Sequence, residues 1–165
     1  MPIHEKGNIM SNMTSLIEQY LIGPAQLRQA VQGMTREQLL AKPITGKMST
    51  LEVVAHLADF DPIIADRMKR VIAEERPTLL GADENRFLAA LAYHERELEE
   101  ELRIIELTRS QLAKILRTLP DSALARVGIH NEKGPRTLEQ LLTTATKHIT
   151  HHLTFIQEKR KALGL

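Results

Sequence analysis

Apolar residues return at steps of three and four in separate stretches of the chain, and this rhythm sets the expected architecture. Between Ser49 and Arg76, Val53, Leu57, Phe60, Ile64, Met68 and Val71 share one stripe, the mark of an amphipathic helix. From about Glu84 to Leu119, Leu91, Leu98, Leu102, Ile105, Leu112, Leu116 and Leu119 recur at near-heptad spacing. The run Glu95-Arg-Glu-Leu-Glu-Glu-Glu101 in that segment reads as its solvated face. After Gly134-Pro135, the residues Leu138, Leu141, Ala145, Ile149, Phe155 and Ile156 form a further stripe in a helix reaching about Leu163. The first helix runs from about Asn12 to Gln32, with a kink expected at Gly23-Pro24.

Helix starts are marked by capping-box spacing. Ser49 and Glu52 open the second helix, and Thr137 and Gln140 open the fourth. Thr35 and Gln38 begin a short helical turn. Pro62 predicts a kink, because the stripe continues beyond it, while Arg76-Pro77 and Pro120 end their helices. Thr78 to Asp83 and Asp121 to Gly134 read as loops, the latter with a turn of helix. Sustained apolar–polar alternation is absent, and so are Asn-Gly and Asp-Gly hairpin turns. The expected fold is all-α: a single-domain four-helix bundle over residues 12–165, preceded by a flexible N-terminus over 1–11.

Composition narrows the chemistry. A chain of 165 residues is one domain with one core. A net charge of +1 gives no reason to expect nucleic acid or an acidic membrane as partner. Neither a signal-peptide run nor a membrane-length apolar stretch occurs, so the expected location is cytoplasmic. The absence of cysteine removes disulfides, thiolate nucleophiles and thiolate ligands. Any metal must therefore be held by nitrogen and oxygen.

Three histidines fall within five residues at His148-Ile-Thr-His-His152. At about 100° per residue, His148 and His152 lie inside the apolar stripe of the fourth helix. His151 falls with Thr144, Lys147, Thr154 and Glu158 on the polar side, at the rim. Two imidazoles on adjacent turns can share a transition-metal ion, or they can be satisfied by hydrogen bonds to neighbouring helices. His56, at the edge of the second helix's stripe, is the candidate third ligand. Three histidines on two helices would leave the open position of a catalytic zinc. Asp59, one turn on, could orient an imidazole, ligate, act as a base on bound water, or face solvent. His94 is a weaker substitute ligand, His130 could line a pocket mouth, and His4 lies in the N-terminus. Arg67 could bind an anion or simply pack its stem.

These residues resemble the DinB-like superfamily of metal-binding four-helix bundles across about residues 14–160. The resemblance rests on His56-Leu-Ala-Asp59, Tyr93-His94, His130-Asn-Glu-Lys-Gly134 with Thr137-Leu138, and His148-x-x-His-His152 followed by Leu153 and Gln157. It departs at Met48-Ser49, where the family usually carries Trp-Ser. The resemblance implies a divalent transition metal, zinc or nickel, at His56, His148 and His152; beside these positions Asp59 and His151 are the nearest candidate proton-handling groups. It also implies a small-molecule substrate and an enzyme that activates water or a low-molecular-weight thiol against a small electrophile, a hydrolase or a thiol S-transferase. The alternative is a non-catalytic stress-response or binding module with a structural metal or none. A homodimer is expected, since such bundles often bury an apolar face against a copy of themselves.

Overall fold

The computed structural model describes residues 11–165. Four long helices carry the fold: α1 (Asn12–Val31), α3 (Thr50–Ala73), α5 (Leu98–Leu116) and α6 (Leu138–Ala162). Two short helices, α2 (Arg36–Leu40) and α4 (Glu84–Ala90), lie between them, with 3-10 turns at Tyr93–Glu95 and Asp121–Ala125. The three capping boxes form as expected: Thr35, Ser49 and Thr137 each accept from the backbone N–H three residues on, and the Gln or Glu there accepts from the cap N–H in return. The expected flexible N-terminus, with His4, lies outside the described residues except for Ser11. That residue caps α1, its hydroxyl accepting from Thr14 N at 3.2 Å.

The long helices do not pack in chain order. α1 packs on α5 and α6, and α3 also packs on α5 and α6, so that consecutive helices sit diagonally in two places. Long connections, from Gln32 to Ser49 and from Arg117 to Thr137, make those crossings. The arrangement sets α3 beside α6, the two helices that carry the candidate ligands.

One polar constellation ties all four helices together. Arg109 of α5 and Asp61 of α3 are completely buried and joined by three hydrogen bonds of 2.7–3.2 Å. Arg109 also donates to the carbonyl oxygens of Tyr20 in α1 and Ala145 in α6, both at 2.7 Å. Pro24 has no N–H, so it leaves the Tyr20 carbonyl without its helical donor. The kink site expected at Gly23-Pro24 is therefore where α1 receives a bond from another helix.

Two expectations are corrected. The single helix over 84–119 is broken into α4, the Tyr93–Glu95 turn and α5. Ala92 adopts a left-handed conformation, with φ 48°. Arg96 fixes the break by donating to Asp59 at 2.7 and 2.9 Å, to Glu101 at 3.0 Å and to the Leu91 carbonyl at 3.3 Å. Leu91 is consequently exposed, while Leu102, Ile105, Leu112 and Leu116 fill the core as expected. The second correction is a small sheet in the segments read as loops. β1 (Thr78–Leu79) pairs in parallel with β2 (Val127–His130), which pairs antiparallel with β3 (Gly134–Thr137). Strands of two to four residues are too short to show alternation. The hairpin closes through the three residues Asn131–Lys133 followed by Gly134 at φ +70°, a turn without the Asn-Gly signal.

Candidate metal centre

His56 lies two turns into α3, and His148 and His152 face it from adjacent turns of α6. One nitrogen from each of the three rings can be chosen so that all lie within 4.8 Å of one another. The Nε2 atoms of His56 and His148 are 3.0 Å apart. Two imidazole nitrogens at about 2.05 Å from a tetrahedral zinc would be about 3.3 Å apart, so this pair is close to ligand spacing. His56 and His152 are buried and His148 is half-buried. The ring centroids are separated by 4.8–4.9 Å, like the legs of a tripod.

Burial depresses the pKa of all three rings. His148 and His152 are pushed down to about 3, first by desolvation and then by the neighbouring histidines. His56 moves the same way by desolvation, opposed by the charges of Glu84 and Asp59. All three are therefore neutral near pH 7 and keep lone pairs for a cation. The Nδ1 atoms of His148 and His152 are buried without a hydrogen-bond partner. Three converging neutral imidazoles, two of them with an unpartnered nitrogen, fit a divalent transition metal by donor type and number.

Three cavities adjoin the triad. The largest of them, about 470 Å³, is bordered by His56 together with Lys42, Lys47, Met48, Glu84 and Leu88. A second, about 160 Å³, lies against His152, Phe155 and Lys159. The third, about 140 Å³, lies against His148, His130, Arg67 and Glu84. Phe60 stacks on His56 at 4.6 Å and is covered in turn by Phe87 of α4 at 5.2 Å. Breaking the third helix thus lays α4 across the site, where a straight helix would have carried Phe87 and Glu84 elsewhere.

The structure brings together the three residues expected as ligands, and it leaves the others apart. Asp59 is held in a two-pronged ion pair by Arg96, and no hydrogen bond joins it to His56 among the described residues. Its carboxylate is engaged by Arg96 at the helix break and not by His56. His151 is exposed at the rim, its ring 5.3 Å from that of His152 and 4.8 Å from Phe155. His94 is exposed beside Glu95 and is no ligand of this triad. His130 is buried, with Nδ1 accepting from Glu132 N at 3.2 Å, and it borders the His148 cavity as expected. Arg67 donates twice to the Leu80 carbonyl, at 2.6 and 3.1 Å, and borders the same cavity. Sequence reading passed over Glu84 and Lys159. Helical phase carried a signal for Lys159, which lies seven residues and two turns beyond His152 on the same face.

The sequence pattern of the DinB superfamily matches residues 19–156. The chain belongs to this superfamily. Among DinB relatives it is 30% identical over 142 residues to YfiT of Bacillus subtilis, an inferred metal-dependent hydrolase, covering 86% of this chain and 80% of that one. A relative of the same designation in Oceanobacillus iheyensis is 29% identical over 140 residues, covering 84% and 81%. The solved structure of B. subtilis YfiT, described as an unusual four-helix bundle, superposes with a TM-score of 0.86 at 28% identity, covering 99% of this chain and 93% of that one. No helix among the described residues is long and apolar enough to cross a membrane.

Proposed function

We propose that the protein is a cytoplasmic metal-dependent enzyme that uses a zinc or nickel ion held by His56, His148 and His152 to activate water, or a low-molecular-weight thiol, against a small electrophile. The observation that carries this reading is the convergence of three neutral, desolvated imidazoles beside a cavity of about 470 Å³. A structural metal site is usually closed by four protein ligands, whereas three ligands next to a cavity leave room for a substrate. The bound ion would supply the Lewis acidity that lowers the pKa of a water or thiol ligand.

The chain's own groups complete the site. Phe60 and Phe87 exclude water from one side of the triad. Glu84 borders both the His56 and the His148 cavities, and its charge acts on His56. A carboxylate at that mouth can accept the proton that an activated water or thiol releases, the role that Asp59, tied to Arg96, is poorly free to play. Without cysteine, a thiol nucleophile must arrive as cosubstrate. The named relatives favour the hydrolytic branch.

The test is elemental analysis of the purified protein, then reloading with zinc, nickel and manganese and parallel screens for ester and amide hydrolysis and for thiol conjugation. One equivalent of metal, and an activity that needs it, is the expected result. Protein that stays metal-free after all three incubations overturns the reading.

A further inference from the structure

Lys159 is 2% exposed, a burial a lysine tolerates only with compensation. Its sole hydrogen bond is a 3.2 Å donation to the Phe155 carbonyl, one turn back on α6. The ammonium also lies 6.0 Å from the centre of the Phe155 ring, and two of its three N–H donors have no hydrogen-bond partner among the described residues. No carboxylate forms an ion pair with it among the described residues: Glu52 is engaged by Lys42 at 2.8 Å, and Glu158 is exposed. The side chain borders the cavity of about 160 Å³ that it shares with His152, Val53, Phe155 and Lys47. Lys47 and Met48 border this cavity and also the larger one beside His56. The two spaces therefore flank the triad from neighbouring sides.

We propose that Lys159 is the substrate anchor of this site and binds a carboxylate group of the substrate in the cavity it shares with His152. This assignment rests on the metal-site reading for the identity of the site, although the lysine and its cavity are there irrespective of any ion. Several features favour a carboxylate. The ammonium has unfilled donors in an apolar surround, where a charge-assisted hydrogen bond is strong. The cavity admits only a group of a few heavy atoms. Lys159 is the one buried cation there, and exposed Lys47 and Glu158 at the cavity edge offset each other, so the site balances a single negative charge better than the double charge of a phosphate. Desolvation pulls the lysine pKa down and the Lys47 charge adds to this, while Glu158 and Glu52 oppose it; a bound anion would relieve that strain. The larger cavity by His56 would then hold the reacting portion of the molecule, with the anchored carboxylate in the adjoining space beside His152.

The experiment is calorimetric titration of the full-length protein with propionate, propionamide and inorganic phosphate, in metal-free and zinc-loaded forms, for wild type and Lys159→Met. Metal-free wild type should prefer propionate to propionamide by about tenfold or more, the ratio expected of one charge-assisted hydrogen bond. K159M should lose that preference while keeping its zinc stoichiometry. An unchanged preference in K159M, or no preference in wild type, overturns the anchor, and tighter binding of phosphate than of propionate overturns the carboxylate. Failure of zinc to bind either protein would sink the metal reading alone, because the metal-free titrations still decide the lysine. If K159M does not fold, wild type carrying 13C at lysine Cε decides instead. Propionate must then shift the lysine resonance best protected from a soluble paramagnetic agent, and an unmoved resonance overturns the proposal.

Discussion

Arg109 donates a 2.7 Å hydrogen bond to the carbonyl oxygen of Tyr20, the oxygen that Pro24 deprives of its helical partner. The same guanidinium stacks over the Tyr20 ring at 4.4 Å and grips Asp61 with two nitrogens. A proline in α1, a charge in α5 and a carboxylate in α3 are thus one device. Its fourth contact, to the Ala145 carbonyl, lies one turn before His148. The device therefore braces both helices that carry the triad.

Removing one partner of this pair leaves a buried charge without compensation. Asp61→Asn should cost about 3–5 kcal/mol in unfolding free energy. The double replacement Asp61→Leu with Arg109→Met should recover only part of that, because the Tyr20 carbonyl then stays buried and unpaired at a cost of about 1–3 kcal/mol. Urea denaturation of the three proteins measures both quantities. Full recovery in the double variant would show that the Tyr20 contact contributes nothing.

Gly23 has its place beside this device through close approach. A Cβ there would lie 3.0 Å from Arg109 Nη1 and 3.1 Å from Ile149 Cδ1. Glycine-to-alanine changes inside helices usually stabilise by about 0.4–1 kcal/mol. Here the guanidinium is pinned by its own hydrogen bonds and cannot step aside, so Gly23→Ala should destabilise by about 1–3 kcal/mol, the range for overpacking. A denaturation midpoint at or above wild type would contradict this.

The capping boxes, the proline site in α1 and the histidines that converge were legible in the sequence because each depends on local spacing. Helical phase alone separated His148 and His152 from His151. What it could not supply was long-range. The break after α4 depends on Arg96 meeting Asp59, 37 residues away in sequence, and nothing local to Leu91 announces it. Asp61 and Arg109 each sit on an apolar stripe, four residues after Leu57 and after Ile105, and a charged residue in such a position is a readable signal of a buried pair. The strands of the small sheet were hidden by their length. Glu84 became a site residue only because the break redirects α4.

Asp59 should behave as a structural residue. Its ion pair with Arg96 is about one-fifth exposed on each side, between the exposed pairs worth under about 1 kcal/mol and the fully buried ones. Asp59→Asn is expected to lower stability by about 1–2 kcal/mol while retaining one equivalent of zinc. A variant of unchanged stability that loses zinc would return Asp59 to the metal centre.

Metal should stabilise the folded protein by mass action. At free zinc or nickel about 100-fold above Kd, the gain is about 2.7 kcal/mol, or roughly 5–10 °C in Tm for a chain of this length. Alanine at His56, His148 or His152 should each remove most of that shift, and alanine at His94 should not. Differential scanning fluorimetry with and without metal, after chelation and dialysis, reads the result. Equal shifts in the triad variants and wild type would assign the metal to another site.

Without metal, the triad makes stability fall with acidity. The histidines titrate near 6.5 in the unfolded chain, whereas His148 and His152 in the fold are held down at about 3. Between those values the unfolded chain binds more protons than the folded one, so unfolding free energy rises with pH across the window. The contribution is complete above about pH 6.5 and is lost progressively as pH falls toward 3. Each ring adds at most about 1.4 kcal/mol per pH unit, less for the half-buried His148. Carboxylates also titrate at the acid end, so the informative quantity is the difference between wild type and His148→Asn with His152→Asn. From pH 7 to 5 the double variant should lose less stability than wild type, giving a flatter line of urea midpoint against pH. Parallel lines would mean that the two rings titrate in the fold as they do in the unfolded chain, and the desolvated site described above would not exist.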